Sequence, residues 1–334
     1  LFIVNMALNI LLLNDAIAQL QNLSKWVSGA IELPTNSLLA RSQRNRGTAR
    51  RQPGAETLPI LPTRPKIAKL SWSVSRFGAV PNDGIDDTAA IQSAIDTIAE
   101  KGGGSIMFPP GTYNVSIQRQ GKYLQALKLR PGIRLAASNS QGATIRLADR
   151  QGNYESMMGT AEYGTSLTDF VIQGLTFASN GQNPPVLAPG GSNGKNSPGF
   201  GDDDNALPRT VFRAYMGKRI QIDRSRFTNQ NAVWSVVVNG KLESMTDVAI
   251  TNSRFDRVGG NAVDFDHSSI YTQGSRMLVT KNLFVSRSGP GTKGARTAIE
   301  IHGSDQTVIG NTIKGYANGI NVTGAGTPVS QRQL

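Results

Sequence analysis

Four side chains that can give or take protons lie near one another in the C-terminal part of the sequence: Asp264, Asp266, Glu300 and His302. Each alternates with apolar residues, in the segments NAVDFD and TAIEIH. If these segments are strands with buried apolar side chains, the four polar side chains point outward. Aligning the two segments predicts that Asp264 lies beside Glu300 and Asp266 beside His302 on neighbouring strands.

Further polar and aromatic side chains extend this predicted patch. Aligned as parallel strands, TVFRAY, NAVWSV, NAVDFD, TAIEIH and NGINVT give two outward columns. The first column is Arg213, Trp234, Asp264, Glu300 and Asn321, and the second is Tyr215, Val236, Asp266, His302 and Thr323. Trp234 offers an apolar platform on which a sugar ring can stack. His267 lies on the same strands, and the loop SGPGTKGAR adds Lys293 and Arg296.

These residue types allow two kinds of polysaccharide chemistry. Glycoside hydrolysis needs two carboxyl groups, which Asp264, Asp266 and Glu300 can supply. A lyase or epimerase needs a base beside a uronic carboxylate and a cation that neutralises it. His302 or Tyr215 can act as that base, and the cation is then Arg213, Arg296 or Lys293. The alternative is structural, because the outer face of any such sheet is polar.

A repeat along the second half of the chain predicts the architecture that carries these strands. The segments FVIQGLTF, IQIDRSRF, VAITNSRF, MLVTKNLF and TVIGNTI end at Phe177, Phe227, Phe255, Phe284 and Ile313. The successive differences between these positions are 50, 28, 29 and 29. A period of this length indicates a solenoid in which each coil buries its apolar side chains against its neighbours. We expect the five terminal residues to form one internal ladder. We expect Ser225, Ser253, Asn282 and Asn311 to adopt unusual backbone angles at a turn.

The single interval of 50 residues contains an insertion of about twenty residues, rich in Gly, Pro, Asn and Ser. Such a loop is commonly a wall or lid of a binding groove. Its run Asp202, Asp203 and Asp204 supplies oxygen ligands that suit Ca²⁺, although a solvated acidic run is the simpler interpretation. The chain has no cysteine, which excludes disulfides and thiolate metal sites.

The segment from Phe77 to Val115 predicts a helix followed by two strands. Ile91, Ala94, Ile95 and Ile98 follow helical spacing. Asp86, Asp87 or Thr88 can cap the start of the helix, and the glycines at 102–104 end it. The residues from Ser105 to Phe108 then form a short strand, and Pro109-Pro110-Gly111 turns the chain into Thr112–Ile117.

This segment, FGAVPNDGIDDTAAIQSAIDTIAEKGGGSIMFPPGTYNV, resembles the N-terminal part of the rhamnogalacturonase/epimerase-like domains of the pectate lyase superfamily. The resemblance implies a single-stranded right-handed parallel β-helix with an N-terminal capping helix, as in secreted polysaccharide-degrading enzymes and phage tailspikes. It gives Asp83, Asp86 and Asp87 a structural role. The segments HSSIYTQG and AIEIHGSD look like uncharacterised members. Of the polygalacturonase pattern only His302-Gly303 is present, and Asp266-His267 lacks the proline of the Asp-Pro-His motif of alginate epimerases.

We divide the chain into an apolar helix at 1–30, a basic linker at 31–69 and the β-helix at 70–334. The first part predicts no membrane span, because Leu1–Leu13 is too short, and a helix that binds a partner or a second subunit fits it better than a signal peptide. The segment from Arg41 to Lys69 contains eight basic residues and one acidic residue, Glu56. It therefore contributes +7 of the formal charge of +12. This segment has no interleaved aromatic residues, so we expect no nucleic acid partner.

The sequence therefore predicts a polysaccharide-binding and polysaccharide-cleaving β-helix, secreted or on a virion tail. The alternative is a non-catalytic tail or adhesion module that binds glycan. The resemblance to tailspikes implies a homotrimer. The sequence predicts no specific cofactor, and Ca²⁺ is the one candidate that it offers.

Overall fold

The computed structural model describes residues 60–120, 123–151, 154–160, 165–179, 210–230, 234–240, 244–257, 268–286 and 297–323. All of them belong to the second of the chain's two units, Pro59–Leu334. The expected helix at 1–30, the linker up to residue 59 and the insertion with Asp202, Asp203 and Asp204 lie outside these ranges. In the part described, no helix is long and apolar enough to cross a membrane.

A short 3-10 helix, Val74–Phe77, and the helix α1, Thr88–Glu100, precede the coils. The predicted apolar face of α1 is confirmed, because Ile91, Ala94, Ile95 and Ile98 are fully buried in the core shared with the strands. Three glycines follow the helix with positive φ values of 89°, 96° and 154°, a region that glycine enters without steric cost. Through these buried side chains the helix packs its apolar stripe against the first coil.

The aspartates around this helix have structural roles, as predicted. Asp83 accepts a hydrogen bond from the Ile85 amide, and Asp86 accepts one from the Thr88 amide in the first turn of α1. Asp87 accepts from the amides of Val80 and Asn114. These carboxylates satisfy backbone N–H groups at the helix start and the adjoining turn, and none lies beside the strands that carry Glu300.

The described residues form 23 strands, numbered β1 to β23 in chain order, in three sheets. From β2 onward the chain passes repeatedly from sheet A to sheet B to sheet C, and every coil pairs in parallel with the next. Sheet A contains β1 (Ser71–Ser73), β2 (Gly104–Phe108), β6 (Ile133–Ala137), β9 (Ser166–Gln173), β12 (Met216–Asp223), β15 (Met245–Thr251), β18 (Ser275–Thr280) and β21 (Gln306–Ile309).

Sheets B and C complete each coil, which makes the fold a parallel β-helix. Sheet B contains β3 (Gly111–Val115), β7 (Ala143–Leu147), β10 (Leu175–Ala178), β13 (Arg226–Gln230), β16 (Arg254–Arg257), β19 (Leu283–Ser286) and β22 (Thr312–Lys314). Sheet C contains β4 (Gln118–Gln120), β5 (Tyr123–Lys128), β8 (Ser156–Gly159), β11 (Thr210–Ala214), β14 (Trp234–Asn239), β17 (Ser268–Gln273), β20 (Thr297–Ile301) and β23 (Asn318–Val322). The pair β4 and β5 is antiparallel.

The predicted internal ladder is confirmed on sheet B. Phe177, Phe227, Phe255 and Phe284 occupy one register, are fully buried and lead to Ile313. Their rings stack with centroid distances of 5.3, 4.8 and 4.8 Å. Because neighbouring strands lie about 4.8 Å apart, the rings stack at the spacing of the coils themselves.

The turn between sheets A and B differs from the expectation in one respect. Ser225, Ser253 and Asn282 are buried and, with Asn311, form a polar ladder in which each backbone amide bonds to the side chain one coil further on. The positive φ angles lie one residue earlier, at Arg224, Asn252, Lys281 and Gly310. The predicted positions for unusual backbone angles are therefore wrong by one, because the ladder residues are selected for their side-chain hydrogen bonds.

Candidate functional site on sheet C

The predicted site residues fall into two groups. The structure describes Arg213, Tyr215, Trp234, Glu300 and His302, all on or next to strands of sheet C. The other five, Asp264, Asp266, His267, Lys293 and Arg296, lie outside the described residues. They belong to the two segments that lead into β17 and β20, and His267 and Arg296 directly precede these strands.

The register of sheet C corrects both predicted columns. Glu300 pairs with Tyr271, Tyr271 with Val237, and Val237 with Arg213. The first column is therefore Arg213, Val237, Tyr271, Glu300 and Asn321, and the places assigned to Trp234 and Asp264 are wrong.

The second column changes in the same way. Tyr215, His302 and Thr323 keep their places, each two residues beyond the member of the first column on its own strand. Val236 and Asp266 do not keep theirs. The cause is the variable length of the connection from sheet B to sheet C. The strand that follows Phe255 is SSIYTQ, which begins four residues after Asp264.

Glu300 is the buried carboxylate of this sheet. Ile299 and Ile301 point into the core, and the alternation of the strand turns Glu300 outward. Only 7% of Glu300 is exposed. Its Oε2 accepts a hydrogen bond from the Ser268 hydroxyl at 3.0 Å, and its Oε1 lies 2.7 Å from His302 Nε2. Ser268 and Glu300 therefore hold the imidazole in one orientation.

A run of aromatic rings continues from this pair. The Tyr271 ring stacks on His302 with a centroid distance of 4.4 Å, and Trp234 meets Tyr271 edge-on at 5.7 Å. Burial, together with the Glu300 charge, raises the pKa of Tyr271 to about 12, so its phenol is protonated at neutral pH and can donate a hydrogen bond. The buried indole N–H of Trp234 has no acceptor among the residues that the structure describes.

Arg213 and Tyr215 form a second part of the same face. The Arg213 guanidinium lies over the Tyr215 ring at 4.2 Å. Along the register, Arg213 is three coil steps from Glu300, or about 14 Å. A cation held on an aromatic ring at that distance can contact a different part of an extended ligand from the part beside His302.

The sequence reasoning missed Ser268 and Tyr271. A signal for both was present, because a polar residue and then a glycine stand at the end of each of the strands β14, β17 and β20: the polar residue is the last of β14 and of β17 and the first after β20. The pairs are Asn239-Gly240, Gln273-Gly274 and His302-Gly303, and aligning them gives the observed register. Apolar residues recur too often in these segments to fix the register alone.

No group of three or more metal-ligating side chains occurs among the described residues. The candidate Ca²⁺ ligands Asp202, Asp203 and Asp204 lie outside them. The described site can transfer protons through His302 and Tyr271. It can also bind planar or ring-shaped groups along its aromatic surface.

Comparison with known sequences relates the chain to enzymes that act on polysaccharides. It is 28% identical over 212 residues to mannuronan C5-epimerase AlgE4 of Azotobacter vinelandii, which covers 60% of this chain and 38% of the epimerase. It is 31% identical over 116 residues to alginate lyase 7 of the same organism, which covers 34% of this chain and 13% of the lyase. The chain thus spans well under half the length of these relatives. No family model matches.

Comparison with solved structures identifies the fold independently. The tailspike protein of E. coli bacteriophage HK620, solved in complex with a pentasaccharide, matches with a TM-score of 0.58 at 18% identity. The match covers 74% of this chain and 40% of the tailspike. At this identity the likeness concerns the fold alone, and it agrees with the three parallel sheets.

Proposed function

We propose that this chain, which contains a pectin-lyase-like parallel β-helix domain, binds an anionic polysaccharide on sheet C and modifies it by proton transfer at a uronic acid residue. The observation that carries the proposal is the pair of Glu300 and His302, held by Ser268 and stacked on Tyr271. The names of the relatives, an epimerase of mannuronan and an alginate lyase, support the substrate class.

His302 is the proposed base. Glu300 binds its Nε2, so the remaining ring nitrogen, Nδ1, is the atom that can meet a substrate. That nitrogen removes the proton at C5 of a uronic residue, and Glu300 stabilises the imidazolium that forms. A cation is needed for the substrate carboxylate. Arg296 and Lys293 stay proposals for that role, and Arg213, three strand steps from Glu300, is a proposed contact for the carboxylate of another residue of the polymer.

Tyr271 is the proposed acid, because its ring lies against His302 and its phenol is protonated at neutral pH. In a lyase, the carbanion at C5 expels the oxygen at C4, a C4=C5 double bond forms, and a proton passes to the departing oxygen. In an epimerase, a proton returns to C5 from the opposite face and no bond of the chain breaks. The proposal covers both outcomes, which differ in where the second proton is delivered.

Glycoside hydrolysis receives less support from the described site. It needs two carboxyl groups separated by about 5 to 9.5 Å. Glu300 is the one carboxylate of this cluster in the part of the chain that the structure describes. Asp264 and Asp266 remain proposed partners for that reaction.

The second candidate function is glycan binding without chemistry. The chain of rings from Trp234 through Tyr271 to His302, with the Arg213 and Tyr215 pair further along, favours it. A binding module of this kind would act on a virion tail or outside a cell, as a trimer or with a partner of the N-terminal segment. These assignments are part of the proposal.

The test is a panel of mannuronan, alginate, pectate and one neutral polysaccharide. Three products are measured: unsaturated uronate by ultraviolet absorbance, new reducing ends, and inverted C5 centres by proton NMR. We expect unsaturated ends or inverted centres on at least one acidic polymer, and their loss in His302→Gln. Asp256→Asn, which removes a carboxylate from sheet B, is the matched control and should retain activity. Binding without any product would leave the second candidate.

A further inference from the structure

A row of charged residues crosses sheet A in five successive coils. It consists of Asp169, Arg219, Asp247, Arg276 and Asp305, at intervals of 50, 28, 29 and 29 residues. All five have positive φ, between 51° and 59°. This conformation costs a residue other than glycine about 1 kcal/mol or more. In the two preceding coils glycine occupies the row, as Gly103 and Gly132.

Arginine and aspartate bind each other along this charged row. Arg219 donates two hydrogen bonds of 2.6 Å to Asp169, and Arg276 donates bonds of 3.0 and 2.7 Å to Asp247. Burial acts to raise the pKa of both carboxyl groups, but the arginines and a backbone amide on each outweigh it and lower the pKa. The carboxylates are therefore permanent acceptors at neutral pH.

The backbone amides come from the segment that precedes β1. The Lys66 amide donates to Asp169 Oδ1 at 2.7 Å, and the Thr63 amide donates to Asp247 Oδ1 at 2.9 Å. At its other end, the Leu70 carbonyl accepts from the Ser105 amide at 2.8 Å, on β2. Residues 60–69, which the sequence analysis placed in the linker, thus run along the coils from β15 back to β2.

The spacing of these contacts fits a polyproline-type segment. Asp169 and Asp247 are two coils apart, or about 9.6 Å. A polyproline II chain advances about 3.1 Å per residue and repeats every three residues, so amides three residues apart face the same side, about 9.3 Å apart. Pro62 and Pro65 directly precede the two donors, and each proline disfavours helical angles in the residue before it.

We propose that the charged row is a docking surface for an extended, proline-containing peptide and that its occupant is the chain's own segment 60–70, which acts as a strap. In a solenoid each coil contacts only its neighbours. The strap bonds to β15, β9 and β2, which are not adjacent in sheet A. It therefore couples coils that otherwise do not touch.

The test uses the full chain and removes the two N–H donors without changing the charged row. The double variant Thr63→Pro with Lys66→Pro lacks both donors, and proline suits the backbone that the segment adopts. Thr63→Ser keeps its donor and Ala68→Pro removes an amide that does not contact the row, so these are the controls. Amide hydrogen exchange is followed by mass spectrometry in the strap, in β9 and in β15, with trypsin cleavage after Lys69 as a second readout.

We expect the double variant to exchange the remaining strap amides at least tenfold faster than the controls and to be cleaved faster after Lys69. Exchange should also rise in β9 and β15. Faster exchange in the strap alone would retain the docking surface and overturn the coupling of coils. Equal exchange in all variants, or an unprotected strap in the unmodified protein, would overturn both.

Discussion

Sheets A and C of this β-helix both carry buried carboxylates, and the two faces pair them with different partners. On sheet A, Asp169 and Asp247 each bind an arginine through two hydrogen bonds and accept a backbone amide. On sheet C, Glu300 binds the Ser268 hydroxyl and the His302 ring, and no arginine or lysine of the described residues forms a salt bridge with it. Guanidinium stays charged over the whole accessible pH range, whereas imidazole gains and loses its proton near neutrality.

The difference separates a carboxylate that supports structure from one that can support chemistry. An aspartate fixed between an arginine and a backbone amide has no proton to share. A glutamate on one nitrogen of a histidine stabilises the cation that forms when the other nitrogen takes a proton. The two faces therefore make opposite predictions for equivalent substitutions, which remove the charge and keep the shape of the side chain.

The largest expected effect is that of Glu300→Gln on activity. Loss of the charge beside His302 should reduce kcat by about 10²- to 10⁴-fold, as for removal of an acid–base partner. The free energy of unfolding should change little, because the amide can still accept from Ser268. Product formation on the active polymer and urea unfolding measure the two quantities. An active variant with greatly reduced stability would assign Glu300 to structure, like the aspartates of sheet A.

The corresponding substitution on sheet A is Asp247→Asn. It should lower the free energy of unfolding by about 1 to 3 kcal/mol, because it removes a charge-assisted pair at a buried carboxylate. Arg276 is 40% exposed, so solvent screening keeps the loss toward the lower end. Activity per folded molecule should stay within about twofold, since the row lies on another sheet. A large loss of kcat would show that the two faces are coupled.

The parts of the molecule also differ in how far the sequence predicted them. The 28- to 29-residue period and the Phe177, Phe227, Phe255 and Phe284 series gave the coils and the interior of sheet B, because rings that stack on one another must recur at one position in each coil. Alternation with Ile299 and Ile301 was enough to turn Glu300 outward and to leave His302 beside it. The helix α1 followed from apolar spacing and glycines alone.

The residues beside Glu300 could not be predicted from the spacing of the repeat. The connection from sheet B to sheet C varies in length, so the distance from Phe255 does not determine which residue of the next strand lies beside Glu300. Tyr271 takes the place predicted for Asp264 for that reason. The strap was missed because a proline-containing basic segment looks like a linker, and its bonds use backbone amides, which any residue supplies.

Acid should weaken the charged row of sheet A. The pKa values of Asp169 and Asp247 are lower in the folded chain than in the unfolded chain, where aspartate titrates near 3.9. The folded state then binds fewer protons, so this stabilisation is complete above about pH 4 and is lost as pH falls through the lower, folded values. Thermal unfolding between pH 6 and pH 2 should show the loss, and Asp247→Asn should reduce its slope. An equal slope in both proteins would assign the acid sensitivity to other carboxylates.

The smallest expected effect is that of Tyr271→Phe. On sheet C this substitution separates the role of the phenol from the role of the ring. The ring still stacks on His302, so the free energy of unfolding should change by less than about 1 kcal/mol. If the phenol delivers a proton, kcat should fall by about tenfold or more while the KM for the polymer stays near its original value. Tyr271→Leu removes the ring as well and should disturb the orientation of His302, which lowers kcat further. A Tyr271→Phe variant with full kcat would leave the ring as a packing surface and assign the second proton to another donor, since a stacked ring without its hydroxyl can still orient the imidazole.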